Sequence, residues 1–394
     1  MTDTPSIVRR MPFPDSSSRA VVTPLQPSVV YSSDTPDALD AQYEGRAQGY
    51  TYAREGHPNA DVLARKIDQL EGVTPQMGEG FITGSGMAAI SAVMLGLCRA
   101  GDHVLGGDQL YGRSLRMMHE DLPALGITTS VADPTNADAF AAAMRPDTKL
   151  VLLEVVSNPT LRVADIEEIA KLCRDRGVLL VIDNTFTTPR GFRAFDFGAD
   201  VVVHSVTKLL AGHSDVTLGY VAARTPQMRD AMLLKSVTWG LTPSPFDCWL
   251  AERGLYSFEL RFDRAQDNAA RLADALALHP KVEKVLYPGR TDHPDHNRVR
   301  ALVGDNAGNM VSFILRGERA ETNAFVGALD NVAFAPTLGD IGTTLSQPAT
   351  SSHRALSVQD RLALGMPEGF FRISVGVEDA ELLIAEFTKA LDAV

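Results

Sequence analysis

Basic charge is in short supply in this chain. Lysine and arginine number 37 against 49 aspartates and glutamates, a net charge of −12, and the isoelectric point is near 5.2. Such a balance excludes nucleic acid or an anionic membrane as the main partner. Cysteine is scarcer still. Cys98, Cys173 and Cys248 are an odd set without CxxC spacing, which predicts free thiols in a reducing cytoplasm. No apolar core of a secretory signal opens the sequence, so a cytoplasmic location is expected. Long apolar runs are missing apart from the uncharged stretch Gly80 to Cys98. Its Gly84-Ser-Gly86 break divides it into a short strand and a helix of about three turns, so it predicts a buried helix rather than a membrane span. Internal repeats and low-complexity blocks are absent.

What is present is ordinary globular composition, 45% hydrophobic and 22% charged over 394 residues, enough for two or three domains. The chain is organised around Val201-Val-Val-His-Ser-Val-Thr-Lys208. A short β-branched apolar run reads as a buried strand, and here it stops at two hydroxyls and a lysine. An amine in that place either snorkels to water or is neutralised, for example by condensing with an aldehyde.

Residues 1–60 are rich in Pro, Ser, Tyr and Gly without periodicity and predict an extended arm. Tyr50, Tyr52 and Arg54 within it are residue types that anchor interfaces and hold phosphate; a loop packed on its own domain is the alternative. Residues 61–255 alternate helical patterns with apolar strands: Gly80 to Ile90 as strand, glycine turn and helix, then strands at Asp102–Leu105, Lys149–Val156, Val178–Asp183, Asp200–His204 and Thr217–Ala222. Gly112–Leu125 and Asp165–Arg176 read as helices. That alternation predicts an α/β fold with a mostly parallel sheet covered on both faces. In such sheets ligands sit at the carboxyl ends of the strands. Asp183, Ser205, Thr207, Lys208 and the helix start at Gly86 are then expected at one rim. An acid for a pyridine nitrogen, an amine for an aldehyde and a helix terminus for a phosphate together describe pyridoxal 5'-phosphate.

Residues 256–394 form a second predicted unit, entered by a long helical pattern from Phe246 to about His279 and containing strands Val282–Leu286, Met310–Leu315 and Phe370–Val375. Arg372 inside the last strand calls for an anion, either a substrate carboxylate or a structural acid. Asp292-His-Pro-Asp-His296 has metal-ligand residue types but no second cluster, and an exposed surface loop is expected; no metal is expected.

These residues resemble the Cys/Met-metabolism family of pyridoxal-phosphate enzymes, the group of cystathionine γ-synthase, cystathionine γ- and β-lyases, methionine γ-lyase and O-acylhomoserine sulfhydrylases. The resemblance rests on Tyr52-Ala-Arg54 with His57-Pro-Asn59, Gly84-Ser-Gly-Met-Ala-Ala89, Tyr111-Gly112, Ser157-Asn-Pro159 and Asp183-Asn-Thr-Phe186. It continues through Ser205-Val-Thr-Lys208, Gly212-His-Ser-Asp215, Pro245-Phe-Asp247 and Arg372-Ile-Ser-Val-Gly-Val-Glu378.

It implies an aspartate-aminotransferase-like fold (fold type I) with a large parallel-sheet domain and a smaller C-terminal α/β domain. It implies Lys208 as the cofactor-bearing lysine and proton shuttle, Asp183 as partner of the pyridine nitrogen, and Tyr111 as the ring-stacking tyrosine. The implied phosphate site comprises Gly86, Met87, Ser205 and Thr207, with Tyr52 and Arg54 reaching over from a neighbouring subunit of a homotetramer. Arg372 and Asn158 would clamp the α-carboxylate of an amino-acid substrate, with Thr343 and Arg113 on the same side. The reaction expected is γ-elimination or γ-replacement, with β-elimination as the alternative and a retired scaffold as a third reading. Two departures bear on substrate. Arg113 stands where the family often has glycine or cysteine, and Gly342 stands where many members have an acid, which opens oxygen-linked substrates such as an O-substituted homoserine or canavanine.

Overall fold

The computed structural model of the protein describes residues 14–354 and 356–394; the first thirteen residues of the expected arm lie outside it. Two sheets organise the chain. The first has seven strands, β1 (Phe81–Thr83), β2 (His103–Gly107), β3 (Thr128–Ala132), β4 (Thr148–Glu154), β5 (Leu179–Asp183), β6 (Val201–Ser205) and β7 (Gly219–Ala223), in the order β1-β7-β6-β5-β4-β2-β3. Only β7 runs against its neighbours. The central strands are apolar on both faces because helices cover both, as continuous runs such as Leu150–Leu153 and Val201–Val203 require. The strand β3 is not legible in the sequence; its Thr-Thr-Ser-Val-Ala run lies half-exposed at the sheet edge.

The second sheet joins β8 (Val282–Leu286), β9 (Met310–Leu315), β10 (Ala333–Phe334), β11 (Thr344–Ser346) and β12 (Phe370–Ser374). Phe313, Phe325, Phe371 and Phe387 pack its core.

Two helical expectations change. The pattern from Phe246 to His279 is two helices, Pro245–Leu255 and Phe258–Leu278. At the break, Gly254 lies so close to the chain after Lys208 that a Cβ there would collide with the Ala211 carbonyl, and buried Arg261 donates to the carbonyls of Gly254, Leu209 and Leu210. The helix at Gly112–Leu125 is interrupted by a π turn over Met117–Asp121, ahead of Pro123, which has no N–H to continue the ladder. The uncharged stretch Gly80–Cys98 is β1 and the helix Gly86–Leu97; among the described residues no helix is long and apolar enough to cross a membrane.

The segment Asp292–His296 corrects the exposed-loop expectation. His293 and Asp295 are buried. Asp295 receives both Arg162 nitrogens at 2.7 and 3.0 Å and the Val163 amide at 3.0 Å, and Arg298 donates to the Val163 carbonyl at 2.8 Å. These bonds tie the loop after β4 to the segment between β8 and β9, and Ser312 on β9 adds a bond to the Pro159 carbonyl at 2.7 Å. Asp295→Ala should therefore cost about 2–3 kcal/mol, since it strands a buried amide and a half-buried guanidinium. A shift of the urea midpoint corresponding to less than about 0.5 kcal/mol, the range of ordinary surface changes, would show that this joint does not stabilise the fold.

Candidate active site

Each central strand of the first sheet delivers a polar residue to the same edge as its apolar run ends. On β5 this is Asp183. Its Oδ1 accepts the Thr185 amide at 3.1 Å and the Thr185 hydroxyl at 2.5 Å; burial pushes its pKa up, and these two bonds, then the nearby His204, oppose the rise. On β4 it is Glu154, in register with Asp183, whose Oε1 accepts the Tyr111 amide at 2.6 Å. Burial, then the Asp183 charge, holds Glu154 well above the usual carboxylate range. Sequence reasoning does not single out Glu154; the available signal is an acid closing a buried apolar strand.

The strand β6 ends at Ser205, and Lys208 follows within one turn. Its Nζ lies 3.3 Å from the Thr337 hydroxyl. Burial lowers its proton affinity, and the Arg372 charge lowers it further. Across the cleft, buried Arg372 on β12 donates to Asn158 Oδ1 at 2.6 Å and to the Thr337 carbonyl at 2.8 Å. Among the described residues its Nε is buried without a partner, and desolvation pulls the guanidinium down to about 10. Thr337, which links Lys208 to Arg372, is also missed by sequence. So is His353, which is buried and lowered to about 4 by desolvation, then by Arg372 and Arg361; it is neutral at pH 7.

The helix Gly86–Leu97 points its start at this edge. Ser85 caps it, accepting the Ala88 amide at 3.0 Å, which leaves the amides of Gly86 and Met87 as first-turn donors without an intrahelical acceptor. A Cβ on Gly86 would stand 2.7 Å from Ser205 Cβ, so glycine is what allows the helix start to approach the end of β6. Beneath the edge, buried Glu71 binds His204 Nε2 and Asn184 Nδ2.

Other expected residues are placed differently. The Thr207 hydroxyl is engaged with Leu218, donating to its carbonyl at 3.1 Å and accepting its amide at 2.9 Å. Thr343 donates to Glu378 at 2.9 Å and accepts the Gly376 amide at 2.9 Å, so its hydroxyl ties the chain before β11 to the chain after β12. Tyr52 is 40% exposed, with the Arg54 guanidinium 5.1 Å from its ring centre and Glu55 beside Arg54. Neither of the pair hydrogen-bonds the rim of its own protomer among the described residues. Tyr111 is 40% exposed at the start of the short helix Gly112–Arg116, and Arg113 stands exposed on that helix. At Gly342 a Cβ would meet Asp340 Oδ1 at 3.3 Å and Glu378 Oε1 at 3.7 Å, so two acids from other positions flank the place where the acid is missing.

The arrangement fits pyridoxal phosphate. Among the described residues it offers a desolvated amine, a carboxyl group whose hydrogen bonds fall on Oδ1, helix-start amides beside a glycine cradle, and a buried guanidinium with an unused Nε. Comparison with known proteins agrees. The family described as Cys/Met metabolism PLP-dependent enzyme matches residues 5–392. Cystathionine gamma-lyase of Bacillus subtilis (strain 168) is 37% identical over 351 residues, covering 89% of this chain and 90% of the relative. Cystathionine beta-lyase of the same organism is 36% identical, covering 96% and 94%. The crystal structure of cystathionine gamma synthase from Xanthomonas oryzae pv. oryzae in complex with cystathionine superposes with a TM-score of 0.89 at 34% identity, covering 96% of this chain and 95% of that one.

Proposed function

Because the chain belongs to the Cys/Met-metabolism family of PLP-dependent enzymes, we propose that it removes or replaces a heteroatom group at Cγ of an amino acid. Its fold is that of fold type I PLP enzymes. The observation that carries the reading is the meeting of Lys208, Asp183 and the Arg372–Asn158 pair at one strand edge.

Bound there, pyridoxal phosphate supplies an aldehyde for amines and an electron sink for charge developing at Cα. Lys208 would carry the cofactor and Asp183 would hold its ring nitrogen protonated. The amides of Gly86 and Met87 and the Ser205 hydroxyl would take its phosphate, with Thr207 beside them. Arg372, with Asn158 orienting its fork, binds the substrate α-carboxylate. As an uncharged amine, Lys208 would take the proton from Cα and, in γ chemistry, relay the proton lost from Cβ. The Tyr111 phenol gives or takes a proton as the Cγ group leaves. Tyr52 and Arg54 are exposed enough to serve a second copy, consistent with a tetramer of two active dimers.

The leaving group is oxygen- or sulfur-linked. Gly342 favours substrates other than cystathionine, including an O-substituted homoserine or canavanine, and Arg113 and Thr343 stand on that side as candidates. A β-lyase is the second reading, supported by the similarity to the Bacillus β-lyase. Purified cofactor-loaded protein should be offered methionine, cystathionine, O-acetyl- and O-succinylhomoserine, canavanine and cysteine, with and without a thiol. We expect 2-oxobutanoate, homoserine or a thioether. Pyruvate alone would make it a β-lyase.

A further inference from the structure

Two carboxyl groups end adjacent strands at this edge, and the mechanism above uses only Asp183. Glu154 is its register neighbour. Among the described residues its side chain makes one hydrogen bond, to the amide of Tyr111, the residue that opens the following helix and carries the phenol. Tyr111 stands just before the helical run Gly112–Ala124, where an amide has no acceptor within the helix. The far side of that run rests on the 352–354 loop, since a Cβ on Gly112 would stand 2.6 Å from the Ser352 carbonyl. On the side facing the sheet, Leu115, Met118 and Leu122 pack into the core, and the Glu154 bond is the polar contact at the Tyr111 amide itself.

We propose that Glu154 is the positioning residue for Tyr111, its carboxyl clamping the Tyr111 amide and so fixing where the phenol stands relative to Lys208 and Arg372. The groups facing Glu154 are Asp183 on β5, Tyr111, and Arg372 on β12. Asp183 has two donors from Thr185, which oppose the rise that burial gives it. Glu154 has a single amide and a more distant guanidinium. When two such acids share a site, the one with fewer donors retains the proton. Glu154 thus grips Tyr111 without placing a second negative charge next to Asp183.

The inference rests on the roles of Tyr111 and Lys208 given above. Its test is a double-mutant cycle with E154A, Y111F and E154A/Y111F, plus E154Q, using the substrate that responds in the product assay. E154A should lower kcat on the order of 10- to 100-fold, as small misplacements of reacting groups do. In the Y111F background the same change should lower it less than about 3-fold, because there is no phenol left to misplace. E154Q keeps an acceptor for the amide and should recover most of the loss. The circular dichroism of bound pyridoxal phosphate gives a second readout, altered in E154A and near wild type in E154Q. Multiplying losses in the double mutant, an E154Q as poor as E154A, or unchanged dichroism in E154A would each overturn the proposal. Wild type that binds no pyridoxal phosphate would overturn it together with the family role assigned to Lys208.

Discussion

Lys208→Ala is expected to lower turnover by on the order of 10^4- to 10^6-fold, the scale seen when a residue that bonds to the reacting partner is removed. The expectation follows from where the amine stands. It is buried, its one hydrogen bond among the described residues is to the Thr337 hydroxyl at 3.3 Å, and the charge acting on it is the like-signed Arg372. Desolvation and that charge both favour the neutral amine, the form that attacks an aldehyde and accepts a proton. Lys208→Arg should fail equally, because a guanidinium stays charged at working pH. Borohydride should fix a pyridoxyl group to Lys208 in wild type and to nothing in Lys208→Ala, as read by mass spectrometry. A fixed group on another lysine, or retained turnover, would remove Lys208 from its role.

The same environment predicts a pH dependence. Capture of pyridoxal phosphate by the apoenzyme should level off below 10.5, the ordinary lysine value. The sign for stability follows. Between the lowered folded value and 10.5 the unfolded chain binds more protons than the folded one, so stability contributed by this lysine rises with pH across that window. Below it the apoenzyme bears the full penalty of a charged amine in a dry place.

Arg372→Leu is the second large effect. It removes the fork that faces the cleft and leaves Asn158 Oδ1 and the Thr337 carbonyl without donors. Losing one partner of a buried, hydrogen-bonded charge pair costs about 2–5 kcal/mol, so kcat/KM should fall by roughly 30- to 5,000-fold, mostly through KM. Arg372→Lys should recover little, since an ammonium cannot bridge Asn158, Thr337 and a carboxylate together. A substrate whose α-carboxylate is converted to an amide should be strongly disfavoured by wild type and no longer by Arg372→Leu. If the variant keeps that discrimination, the carboxylate is held elsewhere.

How much of this is legible depends on the range of the signal. Lys208, Asp183 and Gly86 can be read because each closes or opens an element whose apolar run is itself unambiguous, and the rule for parallel sheets carries such termini to one edge. Glu154 carries the same local signal but lies between the core residues Leu153 and Val155, with no residue near it in sequence to suggest its partner; Tyr111 is 43 positions away. The His293–Asp295 segment misleads for a related reason. Charged turn residues look exposed until Arg162, 133 positions distant, supplies the counter-charge that permits their burial.

Short-range physics in the sequence determined the apolar strands, the glycine turn, the family and the lysine, because periodicity, backbone freedom and an amine at a strand end are properties of neighbouring residues; it did not determine β3, β10 or β11. Tertiary structure alone decided that Thr337 links Lys208 to Arg372, that Arg261 clamps the chain beyond the lysine, and that Glu154 stands beside Asp183. Those contacts join residues tens to hundreds of positions apart, and the desolvation that sets their charges exists only once the sheets have closed around them.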